Sequence, residues 1–360
     1  MAASLDMAIA QRSAAWNSCA PHKNTQTVNL LAQWWPVALS HELKKAPMAC
    51  QALDMPLVLF RADDGRAAAL PDRCPHRFAP LSQGKVRDGH IECPYHGWRF
   101  AADGRCTRVP GTDQSPSSKV LLNSLACCEA HGLLWVCLSD QRPVEAPVAP
   151  AEQAQKLDTF WMTDQVQCSL QDAAENFLDG FHTHFVHAGW IRHDKQRQRI
   201  TTRVRPLDDG IEAIYSEEGK QSGLISRLFE RERGKSMGRF RLPGLSEIEY
   251  RDGNDHLNLL VSAWMTPCAD GQLRVFTRIA TARGKIPAVL KRAVLRQAFK
   301  VILRQDRHIL EQVSANRRRF QQYPATPLDS PQDLLGPGIR HLLELGLPLV
   351  FDERSVDISL

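Results

Sequence analysis

Cys74-Pro75-His76-Arg77 and Cys93-Pro94-Tyr95-His96-Gly97-Trp98 are two short runs of one pattern, each carrying a cysteine and a histidine one or two residues apart. Sixteen residues lie between His76 and Cys93, enough for two neighbouring strands to bring the runs together as facing loops. Four ligands of two kinds result. A structural zinc ion is the competing reading, but zinc sites usually pair Cys with Cys and His with His. One of each per loop suits two irons sharing bridging sulfides, with thiolates on one and imidazoles on the other. Imidazole ligation raises the potential above that of an all-cysteine cluster, which fits a centre that accepts electrons and passes them on.

Outward from these loops the sequence reads as short strands. Trp34, Trp35 and Pro36 open the region, and Leu57 to Phe60 precedes Asp63-Asp64-Gly65, a hairpin signal. Strand-like runs continue through Leu70, Val86 to Glu92, Trp98 to Phe100 and the apolar Gly132 to Leu138. Residues from about 30 to 140 therefore form a small all-β unit. Prolines at 143, 147 and 150 mark Pro143 to Ala154 as a linker. Beyond it, strands are expected at Arg199 to Arg205 and Ile211 to Tyr215, joined across Asp208-Asp209-Gly210, and at Leu257 to Met265 and Leu273 to Ala280. They make one antiparallel sheet with helices at about 170 to 187, 288 to 316 and 331 to 346. The expected division is a helical lead-in over 1–30, a β domain over 31–145 and an α+β domain over 155–360.

Composition supports two packed domains. The 360 residues exceed the usual size of one core, and 43% apolar with 24% charged is ordinary for a globular chain. A net charge of +5 without a long like-charged block points to no nucleic-acid or membrane arm. Met1 to Trp16 lacks the apolar core of a signal peptide, and no eighteen-residue apolar run follows, so a soluble, cytoplasmic protein is expected. Ten cysteines in such a chain read as reduced thiols and metal ligands rather than a disulfide framework. Cys106, Cys127, Cys128 and Cys137 read as buried small hydrophobes.

A second constellation lies downstream. Three-residue steps place Asn176, Asp179 and His182 on one side of a helix, beside Phe177, Phe181 and Phe185. His182 and His187 are five residues apart, about 140° on a regular helix, so the helix must loosen or end between them for both to reach one metal; Gly180 and Gly189 allow this. Iron that activates dioxygen takes two histidines and one carboxylate. Asp306 offers the carboxylate, inside a helical stripe of Leu295, Phe299, Ile302, Ile309 and Val313. The alternative for Asp306 is a buried salt bridge to an arginine. Glu311 and His308 fall on the polar side of that helix, and His184 reads as a packed or exposed histidine.

The two loops, with Trp34-Trp35-Pro36-Val37 and Asp103-Gly104 around them and Asn176-x2-Asp179-x2-His182-x4-His187 after them, resemble the catalytic subunits of Rieske non-haem iron oxygenases. In its length and its lack of an evident companion-subunit signature the chain resembles the homo-oligomeric aromatic O-demethylase and phthalate-type branch. The resemblance implies an N-terminal Rieske domain and a C-terminal helix-grip catalytic domain. It implies one 2Fe-2S cluster on Cys74, His76, Cys93 and His96, and one mononuclear Fe(II) on His182, His187 and Asp306. Asp179 matches the family's bridging acid between the iron-bound His182 and a cluster histidine of a neighbouring subunit, and Asn176 matches a position near the iron. It further implies a homotrimer, small hydrophobic substrates and dioxygen. No Gly-rich nucleotide fingerprint is present, so electrons from NAD(P)H would come through a separate reductase or a ferredoxin.

The implied activity is hydroxylation or oxidative demethylation of an aromatic or other hydrophobic small molecule. The alternatives are a cis-dihydroxylating ring dioxygenase, a steroid- or pigment-processing oxidase and an electron carrier without oxygenase activity. Arg73, Arg77, Lys85, Arg87, Arg99, Arg105 and Arg108 outnumber Asp88, Glu92 and Asp103 around the loops, as a docking surface for an acidic electron donor or as plain solvated surface. Residues 217 to 244 match the family least, as a lid or a surface insertion.

Overall fold

The computed structural model describes residues 29–111, 120–139, 146–151, 156–192, 197–216, 234–284, 287–323, 327–346 and 348–360. The expected lead-in before residue 29 lies outside the described residues. The chain divides into two units, 29–149 with 266–276, and 150–265 with 277–360.

The first unit is built from ten strands: β1 (Trp35–Leu39), β2 (Met48–Ala52), β3 (Met55–Arg61), β4 (Ala67–Pro71), β5 (Lys85–Arg87), β6 (His90–Glu92), β7 (Arg99–Phe100), β8 (Cys106–Arg108), β9 (Ala126–Ala130) and β10 (Leu133–Cys137). They pair as three small sheets, ordered β1-β10-β9, β2-β3-β4 and β5-β6-β7-β8. The continuous apolar runs Leu57 to Phe60 and Leu133 to Cys137 are wholly buried, as expected of strands covered on both faces. Asp63-Asp64-Gly65 turns β3 into β4, with Gly65 at φ +80°. Cys106 and Cys137 are buried, as read from sequence, whereas Cys127 and Cys128 are only partly so.

Residues 266–276 belong to this unit although they follow it by more than a hundred positions. Thr266 Oγ1 donates to Pro36 O at 2.6 Å and Leu53 N to Pro267 O at 2.8 Å. These bonds pair backbone groups on β1 and after β2 that the local strands leave over.

The second unit holds an eight-stranded sheet ordered β11-β17-β16-β15-β14-β13-β12-β18. Its strands are β11 (Leu157–Gln167), β12 (Arg199–Leu207), β13 (Gly210–Ser216), β14 (Lys235–Arg241), β15 (Leu245–Arg251), β16 (Leu257–Pro267), β17 (Gln272–Ala282) and β18 (Arg354–Ser359). Part of the stretch read as a lid or insertion is the half-buried strand β14, while 217–233 fall outside the described residues. Strand alternation gives this sheet two faces. One carries Ser236, Gly238, Ile248 and Leu259. On the other, Arg205, Glu212, Arg239, Glu247 and Ser262 stand opposite one another in a row across five strands. Arg239 Nε donates to Glu212 Oε1 and Arg239 Nη2 to Glu249 Oε2, both at 2.9 Å, and the side chains of Glu212, Glu247 and Glu249 are 1–4% exposed. Opposite charges in cross-strand register offset the cost of burying each one.

Three helices accompany the sheet: α1 (Leu170–Leu178), α2 (Ala288–Arg319) and α3 (Gly336–Leu345). Ser169 caps α1, its Oγ accepting from Asp172 N at 3.0 Å. The helix read as extending to residue 187 stops at Leu178, because Asp179 adopts extended backbone and turns its carboxylate onto the next turn. The carboxylate accepts from Phe181 N at 2.7 Å and His182 N at 3.1 Å, an Asp side chain competing with the helical ladder. Ion pairs anchor α2 along its length: Lys291 to Asp158 at 2.7 Å, Arg307 to Asp164 at 2.9 Å and Arg317 to Asp172 at 2.6 Å. Its buried residues are Leu295, Ile302 and Leu310; Val313, read as part of the stripe, is 39% exposed. Among the described residues no helix is long and apolar enough to cross a membrane.

Candidate metal centres

The two cysteine–histidine loops share one hydrogen-bond scheme. Cys74 N donates to Ala79 O and Phe78 N to Cys74 O, both at 2.9 Å; Cys93 N donates to Trp98 O at 2.8 Å and Gly97 N to Cys93 O at 3.1 Å. In each, the fourth residue after the cysteine takes a left-handed conformation, Phe78 at φ +59° and Gly97 at +69°. The scheme sends the two ligand types opposite ways. Cys74 and Cys93 are 1% and 3% exposed, packed with Leu81, Ile91 and Phe100, whereas His76 and His96 face outward. The imidazole centroids are 4.6 Å apart, and Trp98 stacks on His76 at 4.9 Å with 9° between the planes. Burial pushes the Cys74 thiol up to about 11, so a thiolate there needs positive charge beside it. Two adjacent buried thiols below two outward imidazoles suit a cluster with one iron inside and one at the surface.

The basic excess around these loops is partly neutralised. Arg99 pairs with Glu92 at 2.6 Å and Arg105 with Asp103 at 2.6 Å, leaving Arg73, Arg77, Lys85 and Arg87 on the surface.

In the second unit, the end of α1 and the middle of α2 bring His182, His187 and Asp306 together, with one ligand atom from each lying within 4.8 Å of the others. His182 opens a short 3-10 turn, His182–His184, and His187 follows it in a loop, so their five-residue spacing is not helical. Asp306 Oδ1 lies 2.9 Å from His187 Nε2 and 3.4 Å from His182 Nε2, and accepts from Asn176 Nδ2 at 3.0 Å. Among the described residues its charged contacts are these two histidines, not an arginine. Burial disfavours the His182 imidazolium, but the Asp179 and Asp306 carboxylates outweigh it and push the group up to about 9. Burial would raise Asp306, yet the two imidazoles hold it well below the usual carboxylate range. Positive charge is thus favoured among these groups, and two imidazoles with a carboxylate are the donor set for non-haem iron(II). Asp179 Oδ2 is 3.6 Å from His182 Nδ1, and its side chain is 38% exposed. His184 is buried at 2% and takes no part in the convergence.

A cavity of about 150 Å³ opens beside the three groups, walled by Phe177, Ile191, Ile248, Leu259, Val261, Phe299 and Ile302. An apolar cavity of roughly this volume accepts one benzene ring. Thr183, Arg192, Ser236, Tyr250 and Thr277 add polar groups to its wall. Reading the sequence missed Gln305, whose Oε1 lies 2.9 Å from His187 Nδ1, because a glutamine in a charged helix looks like solvated surface. Trp98 stood in the quoted motif without a role.

Residues 33–137 match the Rieske 2Fe-2S domain, and residues 166–344 match the vanillate O-demethylase oxygenase C-terminal domain. An iron–sulfur domain followed by one with a two-histidine, one-carboxylate centre defines the catalytic subunit of an oxygenase, and the chain belongs to the Rieske non-haem iron oxygenases. It is 32% identical over 202 residues to the dicamba O-demethylase oxygenase component of Stenotrophomonas maltophilia, spanning 55% of this chain and 59% of the relative. It is 37% identical over 163 residues to a putative toluene-4-sulfonate monooxygenase system iron-sulfur subunit, TsaM2, of Comamonas testosteroni, spanning 44% of this chain and 45% of the relative. The matches thus cover about half of each relative's length. The crystal structure of dicamba monooxygenase bound to dicamba has the same fold, with TM-score 0.76, 23% identity, and 89% of this chain and 97% of that one covered.

Proposed function

We propose that this chain is the oxygenase component of a multi-protein mono-oxygenase that hydroxylates or oxidatively demethylates a small aromatic substrate. The observation that carries the reading is the convergence of His182, His187 and Asp306 at the wall of an apolar, ring-sized cavity. In this reading Cys74, Cys93, His76 and His96, within 31–145, hold the 2Fe-2S cluster, and the three converging groups, within 155–360, hold iron(II). The chemistry such an ion supplies when bound is reductive activation of dioxygen. The cavity wall does the rest: Phe177 and Phe299 face a ring, Ile248 and Val261 exclude water, and Arg192 or Tyr250 meets a polar substituent. Names of relatives that act on dicamba and toluene-4-sulfonate, both substituted single rings, support this substrate class.

Electrons from NAD(P)H arrive through a separate reductase, with or without a ferredoxin, in the cytoplasm. Asp179 carries the link from His182 to His96 of the partner subunit in a cyclic trimer; its part-exposed carboxylate supports that role. The test supplies the reduced protein with a surrogate reductase and a panel of methoxylated benzoates, arylsulfonates, phthalates and sterols. Oxygen uptake coupled to one aromatic class is expected, with formaldehyde released from a methoxylated ring. A cis-diol product would convert the reading to a dioxygenase, and cytochrome reduction without substrate-coupled uptake would convert it to an electron carrier.

A further inference from the structure

His182 and His187 are oriented by unlike means. The turn that bears His182 is capped by Asp179 three residues before it, so local backbone sets the direction of that side chain. His187 comes after the turn, 1% exposed, and the polar partners of its ring nitrogens are long-range: Nδ1 is 2.9 Å from Gln305 Oε1 and Nε2 is 2.9 Å from Asp306 Oδ1. Gln305 and Asp306 are consecutive on α2, so one helix holds both nitrogens of the ring.

We infer that Gln305 is a positioning residue of the metal centre, its amide oxygen accepting the Nδ1 proton of His187 and so leaving Nε2 as a bare lone pair aimed at the ion. A neutral imidazole has one donor and one acceptor nitrogen, and a partner at one fixes the role of the other. With Nδ1 committed to Gln305, a neutral His187 sets its Nε2 lone pair 2.9 Å from the Asp306 carboxylate, an arrangement that a metal ion shared by the two acceptors stabilises. Asn176 completes the scheme with opposite polarity, donating to Asp306 Oδ1. The ion pairs that anchor α2 to Asp158, Asp164 and Asp172 hold Gln305 in place, since a slip of one residue turns a helix by about 100°. His182 has a carboxylate near its Nδ1 and His187 an amide, so the two ligands differ in basicity.

This inference rests on the reading that the three converging groups hold a metal, and the experiment separates the two. Full-length protein with its cluster intact is stripped of mononuclear metal and titrated with Co(II), following affinity and the visible ligand-field bands; thermal unfolding reports the fold. Gln305→Met keeps the length and loses the acceptor; its Co(II) affinity is expected to fall about 10- to 100-fold, with shifted bands. Gln305→Glu keeps an acceptor and is expected to bind like the parent. A Met variant equal to the parent in affinity and bands, or a Glu variant as weak as the Met variant, overturns the inference while leaving the metal reading intact. A parent that binds no more Co(II) than an Asp306→Ala control overturns both. Should Gln305→Met fail to fold, Gln305→Glu decides alone: parent-like binding supports the role, and a loss of about tenfold or more overturns it.

Discussion

The cysteines and histidines of the two Rieske loops span Cys74 to His96, whereas the groups of the second centre span His182 to Asp306. The first set is held by two small loops with one shared hydrogen-bond scheme, each closed on itself within six residues. The second is held by a helix end, a turn and a distant helix, clamped by ion pairs far from the ligands. A centre made of self-contained loops tolerates change elsewhere in the chain. A centre assembled from distant elements depends on everything that sets the register of α2.

The largest expected effect tests the independence of the two. Asp306→Ala should abolish metal binding at the second centre and substrate-coupled oxygen uptake, yet leave the cluster's visible absorption unchanged; bleaching of that absorption would show the centres to be coupled in assembly. Next comes the buried charge row behind the second centre. Arg239→Met removes the partner shared by Glu212, Glu247 and Glu249, leaving Glu212 to Arg205 and Glu249 to Arg251, and should cost about 3–5 kcal/mol in a denaturant titration. A loss no greater than that of an exposed pair would show that water reaches those carboxylates.

Smaller effects separate the two loops from each other. Gly97→Ala places a Cβ at φ +69° and 3.2 Å from Pro110 Cγ and should cost about 1–2 kcal/mol. Phe78 already bears that strain, so Phe78→Gly should relieve about 1 kcal/mol, offset by the lost cation–π contact of Arg73, 5.1 Å from the ring centroid, worth about 0.5–1 kcal/mol. A clear loss at Gly97 and little net change at Phe78, read by thermal unfolding, is the expected outcome. Smallest is the exposed pair Arg61–Glu129 at 2.6 Å, whose hydrogen bond holds Glu129 below its ordinary value of 4.5. A depressed carboxylate adds stability above its unfolded pKa and loses it as pH falls through the folded one. Glu129→Gln should therefore cost less than about 1 kcal/mol at neutral pH, and the gap from the parent should close as the pH falls below 4.5.

The same contrast decides what could be read from sequence. The Rieske unit and the sheet of the second unit follow from apolar runs and Asp-Gly turns, because buried strands declare themselves locally. Strands β14 and β15 were not legible: Arg239, Glu247 and Glu249 alternate with apolar residues as solvated positions would, and only their partners on adjacent strands reveal that they are buried. β11, with Asp158, Asp164 and Trp161 in one run, shows no clear period. Asp306 stood out as a carboxylate within an apolar stripe. Gln305 beside it did not, since an uncharged side chain leaves no mark of burial until its partner across the fold is known. A break was expected between His182 and His187, but α1 ends earlier, at Leu178; the Asp179 side chain that enforces this acts through backbone amides two and three residues on.

The tip of the β16–β17 hairpin, residues 266–276, is part of the iron–sulfur unit although the chain reaches it late. A chimera that grafts the first 149 residues onto a relative's catalytic half would therefore receive a foreign tip opposite Pro36 and Leu53. Exchange of these halves, in the laboratory or by recombination, succeeds only if the hairpin travels with its distant host.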